Sequence, residues 1–266
     1  MKVYISADME GLAGVVSPSQ LTRGSAEYEE ARQLLLGEVR AAVAGASEAG
    51  AETIIVRDAH GSGLNLPLRE LDARARYVLG VSQADRFPGL DQSFTAAVLL
   101  GYHAMAGTRG AVRDHTMSSA DLQEVRLNGE PVGEIGLDAA IFGQFGVPVA
   151  VVSGDDKACA EARSFLPGVV ALETKTAFGR HTALTLAPAA AVELIRLGVR
   201  DALRQLERTV PPAYRVDPPY ELTLRYLSAD LLDRRSFDGR ASARVDALTG
   251  VYRGENLLEV FDRAFR

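Results

Sequence analysis

The chain has 266 residues, 47% of them hydrophobic and 24% charged, and a formal net charge of -6. No apolar run reaches the roughly 18 residues that a membrane span needs, so no membrane association is expected. The negative balance, the lack of Trp and the few aromatics exclude a general nucleic-acid binder, which needs clustered Lys and Arg against phosphates and aromatic faces for bases.

Val3 to Ala7 is an apolar, β-branched run that predicts a strand, and Asp8-Met9-Glu10-Gly11 follows it at once. The start at Met1-Lys2-Val3-Tyr4 enters that strand without the pattern of a signal peptide. Ala26 to Ala49 carries Tyr28, Ala31, Leu35, Val39, Ala42 and Ala46 at helical spacing, with Gly50 where a helix stops. Thr53 to Val56 reads as a second strand, closed by Arg57-Asp58-Ala59-His60-Gly61, and Ala97 to Leu100 as a third, closed by Gly101-Tyr102-His103. Val125 to Val132 holds an Asn128-Gly129 turn between extended pieces, a hairpin signal, and Glu134 lies just beyond it. Leu137 to Phe145 is then expected as a helix and Val147 to Val152 as a buried strand. Lys157 to Phe165 is expected as a helix that Asp156 caps. Pro188 to Leu206 has helical periodicity, and Pro211-Pro212 and Pro218-Pro219 mark a break before the strand-like Glu221 to Leu227.

This alternation predicts an α/β fold: a mostly parallel sheet flanked by helices, with a smaller C-terminal α+β subdomain. Residues 1–180 are expected to form the catalytic domain and 181–266 the subdomain, with a weak boundary near residues 175–190. Cys159, the single cysteine, excludes an intrachain disulfide framework and suits a reducing compartment, so a cytoplasmic protein is expected. In its helix it reads as a small core or surface residue.

A parallel sheet brings the C-terminal ends of its strands to one edge, where residues distant in sequence meet. Asp8, Glu10, His60 and His103 each follow a predicted strand, and Glu134 adds a third carboxylate. Mixed imidazole and carboxylate donors suit zinc and related divalent metals. Three carboxylates and two histidines exceed what one catalytic zinc takes, but suit two metals sharing a carboxylate, for which Asp8 at the strand tip is the expected bridge. Each residue has a plainer reading. Asp8 and Glu10 can cap a loop, the histidines can be ordinary loop residues, and Glu134 can be a solvated carboxylate. Asp58 can orient an imidazole or cap a turn. His115, in the polar stretch Arg113-Asp114-His115-Thr116-Met117, suits proton transfer near neutrality or is a surface residue. His181 has no supporting pattern. Phosphate-loop, His-Glu-x-x-His and Gly-x-Ser-x-Gly motifs are absent, and Gly61-Ser62-Gly63 opens but does not complete a dinucleotide fingerprint.

The ordered set Asp8-Met9-Glu10-Gly11, Asp58-Ala59-His60, Gly101-Tyr102-His103-Ala104, Asp114-His115-Thr116, Asn128 to Gly136 and Ser153-Gly154-Asp155-Asp156 resembles the M55 peptidases over about the first 160 residues. The resemblance implies a zinc-dependent aminopeptidase that removes an N-terminal D-residue, often D-alanine, from short peptides. It also implies two zinc ions per chain on Asp8, Glu10, His60, His103 and Glu134, with His115 at the catalytic position. A ring-like homo-oligomer is implied as well. Other readings are another dinuclear amidase or phosphoesterase, or a metal-stabilised peptide-binding or assembly protein without turnover. Lys175-Thr176 and Arg180 are expected in a solvated loop.

Overall fold

The computed structural model describes residues 1–81 and 85–265. The chain runs β1 (Lys2–Ala7), α1 (Ala26–Glu48), β2 (Thr53–Asp58), β3 (Arg76–Val78), β4 (Ala96–Tyr102), β5 (Leu122–Leu127), β6 (Glu130–Pro131), α2 (Glu134–Gln144), β7 (Val149–Asp155), α3 (Asp156–Phe165), β8 (Val170–Gly179), β9 (Thr182–Thr185), α4 (Pro188–Gln205), β10 (Tyr220–Tyr226), α5 (Ala229–Asp233), β11 (Ser242–Arg244), β12 (Thr249–Gly254) and α6 (Leu257–Phe265). Seven strands form one sheet in the order β3-β2-β1-β4-β7-β8-β9. All its pairings are parallel except β8 with β9. The expected parallel α/β arrangement is therefore present.

β1 is buried along both faces, as a central parallel strand must be. Its alternate residues serve two cores. Val3 and Ile5 pack with Leu35 and Val39 of α1 and Ile195 and Val199 of α4, whereas Tyr4 packs with Phe142 of α2 in the opposite layer. Burial of each such aliphatic contributes about 1.5–3 kcal/mol, so the sheet's central position follows from its apolar runs.

A second sheet, antiparallel, has the order β11-β12-β10-β5-β6. The Asn128-Gly129 hairpin supplies β5 and β6, and β10 pairs with β5 through Leu222–Leu127 and Leu224–Val125. Conversely, β9 joins the first sheet and α4 packs on α1. Residue 180 is thus not a division between the sheets, because each draws strands from both sides of it.

Three element limits differ from expectation and bear on the site. β4 extends through Tyr102, so His103 stands directly at its tip. α2 starts at Glu134, not Leu137, which makes Glu134 a helix N-terminal residue rather than a loop carboxylate. Asp155, not Asp156, caps α3: its carboxylate accepts from Lys157 N–H and Ala158 N–H. The strand carries Asp155 inward to 1% exposure, in position for the cap, while Asp156 is already in the helix and accepts from Ala177 N–H.

Candidate metal centre

The β1 tip is fixed before any donor is placed. Asp8 N–H donates to Leu100 O at 2.8 Å and Gly11 N–H to Gly101 O at 2.7 Å, so the loop lies on the end of β4. Only glycine fits at position 11, because a Cβ there would collide with Tyr102 O. From β8, buried Lys175 donates through Nζ to the carbonyls of Glu10, Leu12 and Val15 at 2.6, 2.8 and 2.6 Å. The expected solvated loop is therefore wrong for Lys175. Burial pushes its ammonium down to about 8 against the pull of Asp155, Glu38 and Glu10, and three carbonyl acceptors compensate its removal from water.

All five expected donors converge. His60 Nδ1 lies 3.1 Å from Asp8 Oδ1 and 3.0 Å from Glu10 Oε2. His103 Nε2 lies 3.4 Å from Asp8 Oδ2 and 3.3 Å from Glu134 Oε1. Asp8 thus stands between two donor sets, one oxygen toward each. Its carboxyl is pushed up to about 6 by burial and by Glu10, against the lowering effect of His60 and His103. Burial opposes charge on both imidazoles, yet the surrounding carboxylates outweigh it: His60 is held well above its ordinary value and His103 is raised to about 10. Buried carboxylates this close are stabilised by positive charge among them, from protonated imidazoles or from metal ions.

The polar atoms left over fit a metal. Glu10 Oε2 and His103 Nε2 are shut from solvent and make no hydrogen bond of acceptable geometry, short as their contacts are. His103 Nδ1 lies 3.1 Å from Ala104 O, an acceptor for the Nδ1 proton, so a divalent ion at Nε2 would replace the second proton that the carboxylates favour on this ring. Two triads of donor atoms, Asp8-Glu10-His103 and His103-His115-Glu134, have the proximity a divalent ion needs.

His115, which no strand tip selects, is brought in by a loop of unusual backbone. Arg113 and Met117 have φ of 53° and 65°, in the left-handed region that residues with a Cβ rarely adopt. Arg113 N–H donates to Arg180 O, Arg180 donates to Asp114 O at 2.8 Å and pairs with its carboxylate, and Met117 N–H donates to Glu134 Oε1 at 2.8 Å. Arg180 is therefore a strut rather than a free loop cation. The His115 ring stacks on His103 at 3.9 Å, with Nδ1 2.8 Å from Arg113 O and Nε2 3.7 Å from Glu134 Oε1. Burial and the charge on His103 keep it below its ordinary value, hence neutral near pH 7.

Asp58 does not reach an imidazole. Its carboxylate accepts from Asn65 N–H, Asn65 Nδ2 and Leu66 N–H, and Asn65 Nδ2 in turn donates to His60 O at 2.7 Å. It closes the turn that aims His60. Two further residues carry no sequence signal: Arg86 forks onto Asp138 with two 2.9 Å bonds and stands 3.5 Å from Glu134. His181 is exposed and stays outside the cluster.

Asp8, Glu10, His60, His115 and Glu134 line a cleft of about 420 Å³. A second cavity of about 270 Å³ shares Ala59, Gly61, Arg86 and Met117 with it and ends in Arg57, Leu258, Phe261 and Phe265.

A buried carboxylate–imidazole cluster at the C-terminal edge of a parallel sheet, open to a cleft, defines a metal-dependent hydrolase. Within that class the chain belongs to the M55 peptidases: the family model described as Peptidase_M55, D-aminopeptidase, matches residues 1–265. A D-aminopeptidase of Bacillus subtilis (strain 168) is 34% identical over 212 residues, covering 79% of this chain and 77% of that protein. The solved structure of the Zn-dependent D-aminopeptidase DppA from Bacillus subtilis, a self-compartmentalizing protease, superposes with a TM-score of 0.89 at 29% identity, over 99% of this chain and 95% of that one.

Proposed function

We propose that this chain is a zinc-dependent aminopeptidase that cleaves the N-terminal residue, D-configured and small as in D-alanine, from short peptides. Asp8, Glu10, His60, His103 and Glu134 would hold two zinc ions per chain, with Asp8 placed to serve both. The observation that carries this reading is the placement of Asp8, whose two oxygens face His60 and His103 separately.

When bound, zinc supplies Lewis-acid polarisation of the scissile carbonyl and activates water near neutral pH. The chain's residues do the rest. Glu134 is held below the ordinary carboxylate range chiefly by His103, with Arg86 adding to it, against its own burial, and Met117 N–H fixes its Oε1. His115 directs Nδ1–H to Arg113 O, which leaves the Nε2 lone pair toward the donors. A neutral imidazole so placed takes a proton from the attacking water and returns it to the departing amine.

A homo-oligomeric, ring-like assembly belongs to the same reading, supported by the description of DppA as self-compartmentalizing. So does a cytoplasmic setting. No described helix is long and apolar enough to cross a membrane, and burial pushes the Cys159 thiol up to about 12, which makes it an inert core residue.

Zinc per chain should be close to two, and hydrolysis of D-alanyl peptides should vanish on chelation and return with zinc. Metal-free protein with full peptidase activity would overturn the reading.

A further inference from the structure

Two guanidinium groups line the donor cleft. Arg86 is committed to Asp138 and Glu134. Arg113 is not: its Nε is buried without an acceptor, and no carboxylate of the described residues pairs with it. Its backbone is nevertheless held tightly, with N–H on Arg180 O, carbonyl on His115 Nδ1 and φ at 53°. A half-buried cation without a partner, on a strained segment two residues from His115, suits a ligand that arrives with the negative charge.

The cleft restricts what that ligand is. A peptide whose N-terminal carbonyl sits at the donor cluster leaves the rest of its chain in the same cleft. In a dipeptide the terminal carboxylate is only a few bonds from the scissile carbon. Asp8, Glu10 and Glu134 are engaged at the donor cluster, so of the residues lining the cleft Arg113 is the cation left to receive that carboxylate. The planar fork of a guanidinium matches a carboxylate with two parallel hydrogen bonds.

We infer that Arg113 binds the free α-carboxylate of a di- or tripeptide, so that the enzyme selects peptides short enough to present both ends in one cleft. This rests on the aminopeptidase reading above. Arg113 is then a specificity residue, distinct from the metal donors and from His115.

The test compares kcat/KM for D-alanyl-D-alanine and D-alanyl-D-alaninamide on zinc-loaded wild type, Arg113→Met, Arg113→Lys and Arg57→Met. Wild type should prefer the free acid by about 10- to 100-fold, the range of a hydrogen bond to a charged group. Arg113→Met should bring that ratio close to one, mainly through KM on the free acid, and Arg113→Lys should restore part of it. Arg57 lines the adjoining cavity with Nε and Nη1 also lacking acceptors, and its variant should keep the wild-type ratio. Equal cleavage of both peptides by wild type, an unchanged ratio in Arg113→Met, or a ratio abolished by Arg57→Met would each overturn the assignment. Zinc-loaded wild type that cleaves neither peptide sinks the aminopeptidase reading instead. Calorimetric binding of the same two peptides then decides on Arg113: a free-acid preference lost in Arg113→Met supports it, and no preference rejects it.

Discussion

Lys175 places its buried Nζ 2.6 Å from the carbonyl oxygen of Glu10, so a cation on β8 holds the loop that carries two carboxylates from β1. The same ammonium takes Leu12 O and Val15 O, which ties the loop to β8 at three carbonyls. Metal donors on a loop need such support, because affinity depends on the donors being held in place before the ion arrives.

Replacing Lys175 by Met removes that anchor and leaves buried carbonyls without a donor. Zinc affinity should fall by about 10- to 100-fold, the range for lost supporting contacts, and stability by about 1–3 kcal/mol. Competition with a chromophoric chelator reads the first and urea unfolding the second. Unchanged zinc affinity would reduce Lys175 to a packing role.

The position of Asp8 between His60 and His103 predicts unequal losses of metal. Asp8→Ala should take zinc per chain toward zero, while His60→Ala should leave about one. Elemental analysis of dialysed protein distinguishes them, and equal losses from both variants would contradict a shared carboxylate.

His115→Ala should lower kcat by about 10²- to 10⁴-fold, the usual contribution of proton transfer, with zinc per chain still near two. Because His115 lies within donor reach of His103 and Glu134, metal content is the deciding readout. A loss of zinc would make it a ligand, and retained turnover would remove it from the mechanism.

Glu38, remote from the donors on α1, accepts from Ala13 N–H at 2.8 Å and is pushed up by burial from 4.5 to about 7, against Ala13 N–H and Lys175. A carboxyl raised on folding contributes stability that is full below its unfolded value and is lost as pH rises through the folded one. Glu38→Gln removes that loss. Its advantage over wild type should grow between about pH 5 and 8 to about 1–3 kcal/mol, measured by chemical denaturation across that range. A difference that does not change with pH would show that Glu38 is ionised throughout.

Much of this architecture is legible in local sequence. The apolar runs of β1, β2, β4 and β7 announce buried parallel strands, and Asn128-Gly129 announces the β5–β6 turn. Asp8, Glu10, His60 and His103 could be named because a parallel sheet sends every strand tip to one edge. Periodicity is a property of neighbouring residues, however, and says nothing about pairing across the chain. Nothing around Leu222 reveals that it pairs with Leu127, or that β9 returns to the first sheet.

The sequence by itself determined the strand-tip candidates, their imidazole and carboxylate chemistry and the parallel α/β scaffold, because residue type and short-range spacing suffice for these. Only the tertiary structure decided how they are held. Lys175 looked like a solvated loop cation until β8 was paired with β7, which put its side chain beneath the β1 loop. Asp58 could orient an imidazole or cap a turn, and only the folded turn to Asn65, which claims its carboxylate, decides for the cap. In each case a charged side chain's role was set by which backbone groups lost their water when distant segments came together. That quantity does not exist until the chain is folded.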